Sequence, residues 1–228
     1  MKLMILIPAF NEEKVIGSVI ETLPKNLPGI NTIETVVVND GSSDKTAQIA
    51  KEKGATVISH PINRGLGGAL GTGFEYARRN NHDLLITFDA DGQHNAENIK
   101  AVVKPLAEKK ADVVIGSRLV NPKGMPWYRI VGNFGLNLFT FLFYWVWTTD
   151  SQSGFRGFSR KAFQEIRIAS DRMEVSSEFF HEIGRLQLRM IEVPITAIYT
   201  EYSLAKGQRN LNAFKIIFKV ALKRIFPK

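Results

Sequence analysis

Cysteine is absent from all 228 residues, which excludes disulfides, thiolate metal sites and thiol nucleophiles. That absence fits a reducing compartment. Long uninterrupted apolar runs are missing too. The opening string MKLMILIPAFNEE loses its apolar character at Pro8, and Glu12 and Glu13 follow with no small-residue cleavage site. It reads as a first buried strand rather than a signal peptide. The apolar stretch FGLNLFTFLFYWVW (134–147) is interrupted by Asn137 and Thr140. It falls short of the roughly 20 residues needed to cross a hydrocarbon core of about 30 Å, so no transmembrane helix is expected. Acidic residues are missing from the end of the chain. Leu204 to Lys228 holds Lys206, Arg209, Lys215, Lys219, Lys223, Arg224 and Lys228 with no Asp or Glu.

The hydrophobic fraction of 44% is too high for a disordered chain and ordinary for a globular one. No stretch reads as a linker between two cores, and no internal repeat is visible. The net charge of +8 points to an acidic partner such as nucleic acid, anionic lipid or a phosphorylated substrate. In the first half, LMILI (3–7), TVVV (35–38), TVIS (56–59), LLITF (84–88) and DVVIG (112–116) are short, β-rich and bounded by turn residues. Helix-like stretches at about 12–24, 44–53, 66–80 and 95–109 alternate with them. The alternation predicts an α/β fold with a mainly parallel central sheet and helices on both faces. In the second half an aromatic, nearly uncharged segment (127–147) precedes DSQSGFRGFSR, read as polar loop. A helix near 176–187 and one or two strands in MIEVPITAIYTEY are expected next.

Ligands of such sheets bind outside the carboxyl ends of the strands, and polar clusters follow four of these strands. DADGQH (89–94) carries the most chemistry. Asp89 closes a buried strand, with Asp91 two residues along a turning loop. Two carboxylates at about 4 Å repel by about 4 kcal/mol at an effective dielectric near 20. A divalent cation removes that penalty, and hard oxygens suit Mg²⁺ or Mn²⁺. Gln93 can add a neutral carbonyl oxygen. The same string also fits a plain Asx-type turn. NDGSSD (39–44) sets Asp40 at a strand end, where it could accept bonds from a base or ribose, while Ser43 and Asp44 resemble a helix N-cap. PAFNEE (8–13) puts Asn11 and Glu12 beside the same edge, where capping is again the plainer account. NRGLGGALGTGFEYA (63–77) nearly matches a dinucleotide-binding glycine pattern, but it follows the third strand, and helix packing accounts for Gly71 and Gly73 equally well.

In this order and spacing, PAFNE, NDGSSD, NRGLGGA, DADGQH, GSR and SGFR resemble family-two glycosyltransferases of the GT-A fold. The likeness is to the dolichyl-phosphate mannose synthase and polyprenyl-phosphate glycosyltransferase branch, and it covers essentially the whole chain. The resemblance implies a nucleotide-sugar donor bound by Pro8, Ala9, Asn11, Glu12, Asp40, Gly67 and Ala90, with Lys206 near its diphosphate. It implies a Mg²⁺ or Mn²⁺ ion held by Asp89, Asp91 and Gln93. On the acceptor side it implies a polyprenyl phosphate met by Arg118, Arg129, Ser153 and Arg156. Asn133 stands where many relatives have a serine. Asp150 occupies a place where the wider family often keeps a catalytic base. A phosphate acceptor is already anionic near pH 7, so Asp150 is assigned to orienting the acceptor or its arginines. The expected organisation is a catalytic domain over 1–205, containing an amphipathic interface segment at 127–149, and a basic amphipathic helix over 206–228.

These features predict an inverting hexosyltransferase working peripherally at the cytoplasmic face of a membrane, on a nucleotide-sugar and a polyprenyl phosphate. A separate membrane-anchoring subunit is a possible further partner, and no nucleic acid is expected. The rival readings are a non-phosphate acceptor such as a glycolipid or glycan, a nucleotidyltransferase, a dinucleotide-binding protein, and a basic nucleic-acid-binding module. In NAFKIIFKVALKRIF, Lys215, Lys219 and Lys223 share one face while Phe214, Ile217, Phe218, Ala221, Leu222 and Ile225 gather on the other, the pattern of a helix lying in a membrane surface. Each cation near an anionic leaflet contributes on the order of 1 kcal/mol. Co-sedimentation with anionic liposomes is therefore expected to weaken with salt and to fall sharply on truncation after Asn210. Equal sedimentation of the truncated chain would make the tail a purely structural element.

Overall fold

All five β-rich runs join one sheet in the computed structural model, which describes residues 1–120, 127–196 and 198. They form β1 (Lys2–Ala9), β2 (Thr32–Asn39), β3 (Thr56–Ser59), β4 (Leu84–Thr87) and β5 (Val113–Ser117). Successive side chains of a strand point to opposite faces, and β1 uses this fully. Leu3, Ile5 and Ile7 enter the core beneath α1 (Ile16–Thr22), α2 (Thr46–Glu52) and α4 (Ile99–Ala107). Met4 and Leu6 enter the opposite core, which contains Phe74 of α3 (Leu66–Arg79). A continuous apolar run is what a strand covered on both faces requires.

The sheet order is β3-β2-β1-β4-β6-β5-β7, where β6 is Arg156–Ser159 and β7 is Met190–Pro194. β6 runs antiparallel to β4 and β5, and the other pairs are parallel. The chain leaves β1 toward β2 on one side and β4 on the other, so a crevice opens at the carboxyl ends of β1 and β4. β6 corrects the sequence reading, which took SGFRGFSR for loop. Gly157 sits there because α4 presses close: a Cβ on it would stand 2.6 Å from Val102 Cγ1 and 2.7 Å from Leu106 Cδ1. Ser159 then caps α6 (Arg160–Glu165) by accepting from Ala162 N.

Helix α5 (Trp127–Tyr144) lies within the expected interface segment and packs on α7 (Val175–Arg185). Leu136, Asn137 and Thr140 are buried, whereas Val131, Phe134, Leu138 and Leu142 are exposed, as is Trp145 just beyond the helix. No described helix is long and apolar enough to cross a membrane. Residues 206–228, and with them Lys206 and the basic tail, lie outside the described residues.

The glycines of α3 have separable duties. A Cβ on Gly67 would stand 1.8 Å from Ser170 O, and Gly68 N donates to Asp171 O at 3.0 Å, so the chain at 170–171 lies directly over the first turn of α3. Gly73 would meet Leu6 Cδ2 at 2.2 Å, while Gly71 meets only Ile168 Cβ at 4.0 Å. Gly67→Ala is expected to destabilise by about 1–3 kcal/mol through overpacking. Gly71→Ala is expected to stabilise by up to about 1 kcal/mol through helix propensity. Denaturant titration of the two variants checks this opposition of sign.

Candidate active site

The loops after β1 and β2 are sewn together by backbone-to-side-chain bonds. Asn11 adopts a left-handed backbone (φ 53°), its N–H donates to Ser42 Oγ at 3.0 Å, and its Oδ1 accepts from Ser43 N at 3.0 Å. Glu12 N donates to Thr46 Oγ1 at 2.8 Å, and Glu12 O accepts from Val15 N and Ile16 N where α1 begins. Pro8 and Ala9 end β1 beside this knot. Asp40 is buried and accepts from His60 Nδ1 (2.7 Å), Arg64 N (2.9 Å) and Gly65 N (2.7 Å). Three of the roughly four acceptor positions of a carboxylate thus shape the glycine-rich turn. Gly67 lies under Ser170 in that same turn.

Across the crevice, the turn after β4 brings Asp89, buried Ala90, Asp91 and Gln93 together. Gly92 makes the turn with φ 74°. Asp91 accepts from Gln93 N at 2.9 Å and from Gln93 Nε2 at 2.6 Å, which leaves the Gln93 amide oxygen as the atom to offer a cation. Asp89 Oδ2 accepts from His94 Nε2 at 2.8 Å. Burial raises the Asp89 carboxyl, but the His94 ring, by charge and hydrogen bond, and Arg118 and Arg156, by charge, together hold it below the ordinary carboxylate value. Burial, followed by the charge of Asp89, pushes Asp91 above it. Among the described residues, no three or more His, Asp or Glu side chains converge into a closed metal cage. The donor set is two repelling carboxylates and an amide oxygen. That chemistry suits a hard divalent cation that takes its remaining ligands from substrate phosphates.

The other wall carries the arginines. Asp150 has no exposed surface. It accepts from Arg118 N at 3.0 Å, Nε at 2.8 Å and Nη2 at 2.8 Å, a bidentate fork closed by a backbone bond. Arg156 is buried, donating through Nε to Ser153 O (2.8 Å) and through Nη2 to Ser151 O (3.0 Å), and its guanidinium lies 4.8 Å from the Phe179 ring centroid. Burial lowers Arg156 to about 10, against the raising charges of Asp150 and Asp89. Ser153 is fully buried with its hydroxyl donating to Gly116 O at 2.6 Å, which makes it a joint between this loop and β5. Asn133 is half-buried on α5, and the Arg129 side chain lies outside the described residues. A small pocket lined by Pro8, Thr87, Asp89, Gly154, Arg156 and Ser176 connects the two walls.

Sequence reasoning assigned no role to His94, Gly154 or Glu192. His94 was in the DADGQH string, but its reach back to Asp89 depends on the Gly92 turn. A Cβ on Gly154 would stand 2.4 Å from both Asp89 carboxylate oxygens. Glu192 accepts from Thr149 N and Thr149 Oγ1, both at 2.7 Å, and so braces the loop that carries Asp150.

The sequence matches the family described as Glycosyl transferase family 2 over residues 4–167. It is 47% identical to an uncharacterized protein of Methanocaldococcus jannaschii, over 99% of this chain and 93% of that one. It is 38% identical to UDP-N-acetylglucosamine–dolichyl-phosphate N-acetylglucosaminyltransferase of Methanococcus voltae, over 96% of this chain and 94% of that one. Among solved structures, glucosyl-3-phosphoglycerate synthase from Mycobacterium tuberculosis with Mn²⁺, UDP-glucose and phosphoglyceric acid superposes with a TM-score of 0.74 at 21% identity, covering 100% of this chain and 81% of that one. The chain belongs to glycosyl transferase family 2 and has the GT-A fold.

Proposed function

We propose that this chain transfers a sugar from a nucleotide-sugar, GDP-mannose or a UDP-hexose, to a polyprenyl or dolichyl phosphate by a single inverting displacement. The observation that carries the reading is the polarity of one cleft. Asp89 and Asp91 on one side call for a cation, and on the other Arg118, forked onto Asp150 yet still partly exposed, presents positive charge. The Methanococcus relative, named for a dolichyl-phosphate acceptor, supports the same division.

In this reading Pro8, Ala9, Asn11, Glu12 and Ala90 line the donor side and Asp40 and Gly67 shape it from beneath, while the sequence resemblance assigns Lys206 to the diphosphate. Asp89, Asp91 and Gln93 would hold Mg²⁺ or Mn²⁺, which when bound supplies charge relief to the leaving diphosphate. Arg118, Asn133 and Arg156 are assigned to the acceptor side, to which the sequence resemblance adds Arg129, and Ser153 fixes the loop between Asp150 and Arg156. A phosphate monoester carries about −1.5 to −2 at pH 7, so its oxygen attacks without a base. What the protein must provide is orientation. Asp150 does so by holding the Arg118 fork in one geometry before the acceptor arrives. The exposed apolar row of α5 and the basic tail suit a peripheral, cytoplasmic-face seat on an anionic surface.

The direct test is release of nucleoside diphosphate from a panel of nucleotide-sugars, which should require polyprenyl phosphate and stop with EDTA. Release that ignores the lipid phosphate would sink the proposal. Asp91→Asn removes charge without volume and is expected to cut transfer by at least about a hundredfold while leaving the thermal midpoint nearly unchanged. Near-normal turnover at ordinary Mn²⁺ concentration would remove Asp91 from the metal site. Arg118→Lys is expected to lose about tenfold or more in kcat/KM for the acceptor, because a point charge cannot reproduce the fork. Donor affinity, measured by calorimetry, should hold. Parallel loss of donor affinity would assign Arg118 to the diphosphate instead.

A further inference from the structure

Helix α5 is built inside out. Val131, Phe134, Leu138 and Leu142 face solvent, and the strongly polar Asn137 is turned inward with 5% of its surface exposed. A buried amide is costly unless its hydrogen bonds are met, and here both ends are met by one loop. Asn137 Nδ2 donates to Thr149 O at 2.5 Å, and Asn137 Oδ1 accepts from Ser151 N at 2.9 Å. A carbonyl on one side and an N–H on the other admit only this orientation of the amide. The two bonds flank Asp150, the residue that holds the Arg118 fork.

The same loop has anchors on the sheet. Glu192 of β7 accepts from Thr149 N and Oγ1, and the Ser117 hydroxyl at the end of β5 lies 2.6 Å from Thr149 Oγ1. Those bonds tie Thr149 to the sheet, but Ser151 N is held by α5, through Asn137. We propose that Asn137 is the positioning residue through which α5 sets the Asp150–Arg118 pair. The helix with the lipid-facing row and the arginine that meets the acceptor phosphate then move as one unit, a step that rests on the acceptor reading given above. A shift of the helix on a membrane surface is passed to Asp150 through two hydrogen bonds and to Arg118 through three more.

The sheet anchors should keep the fold intact when Asn137 is changed. Asn137→Leu retains most of the volume and removes both bonds. Its acceptor kcat/KM on polyprenyl phosphate in vesicles is expected to fall about tenfold to a hundredfold, the scale of a small misplacement, while binding of Mn²⁺ with nucleoside diphosphate stays within about twofold. The loss should not multiply with that of Arg118→Lys, because residues acting through one another are non-additive. Amide hydrogen exchange gives a readout independent of turnover. Arg118 N donates to Asp150 Oδ2, so its exchange should quicken in Asn137→Leu if Asp150 has lost its place. Unchanged Arg118 exchange, acceptor kinetics near wild type, or losses that simply multiply would each overturn the proposal. Should leucine prevent folding, Asn137→Asp keeps the Ser151 bond, loses the one to Thr149 and is read by the same exchange measurement. A wild-type enzyme indifferent to polyprenyl phosphate would instead defeat the acceptor reading, and Arg118 exchange would still decide the role of Asn137.

Discussion

A carboxylate taken out of water is tolerated only when other groups replace its hydration, and the second half of this molecule is arranged around that requirement at Asp150. Arg118 supplies a fork and a backbone N–H. Arg156 adds a buried positive charge nearby, held by the carbonyls of Ser151 and Ser153 and covered by Phe179. Glu192, Ser117 and Asn137 then fix the backbone on either side. Loop, strand ends and helix α5 are thereby drawn to one point. The same demand accounts for the conformation of a polar loop whose sequence carries few apolar anchors.

The first half solves a different electrostatic problem. Two carboxylates share one turn, and the protein relieves only one of them. Asp89 has a histidine and the charges of two arginines and stays low, while Asp91 is pushed up by burial and then by the charge of Asp89, against the bonds it takes from Gln93. Since the charges of Arg118 and Arg156 act on Asp89 as well, the two sides of the crevice at the end of β1 and β4 share one field.

How much of this could be read from the chain depends on range. Strands β1, β2, β4 and β5 were legible because both-face burial writes an unbroken apolar run, as in Leu3–Ile7 and Val36–Val38. Helices α3 and α4 were legible by their position between strands. β6 was not: it is four residues long, opens with a buried arginine, and owes Gly157 to the approach of α4 rather than to any local preference. Asp89 and Asp91 announced themselves because two acids at a strand end need explaining locally. His94 needed the Gly92 turn to reach back, and Glu192 needed β7 to lie beside β5, information carried only by tertiary pairing. Asn137 was visible as an interruption of an apolar run, but its inward direction depended on which face of α5 met the loop at Thr149–Ser151.

Gly154 shows how narrow the tolerance of such a cleft becomes. Its bare backbone runs directly beside both oxygens of Asp89, so even a single methyl would displace the carboxylate. The position contributes no functional group, yet every coding change there adds atoms where none fit. Variation at Gly154 is therefore filtered by geometry before chemistry, and a lineage that lost this glycine would have to rebuild the turn after β4 to regain a working site.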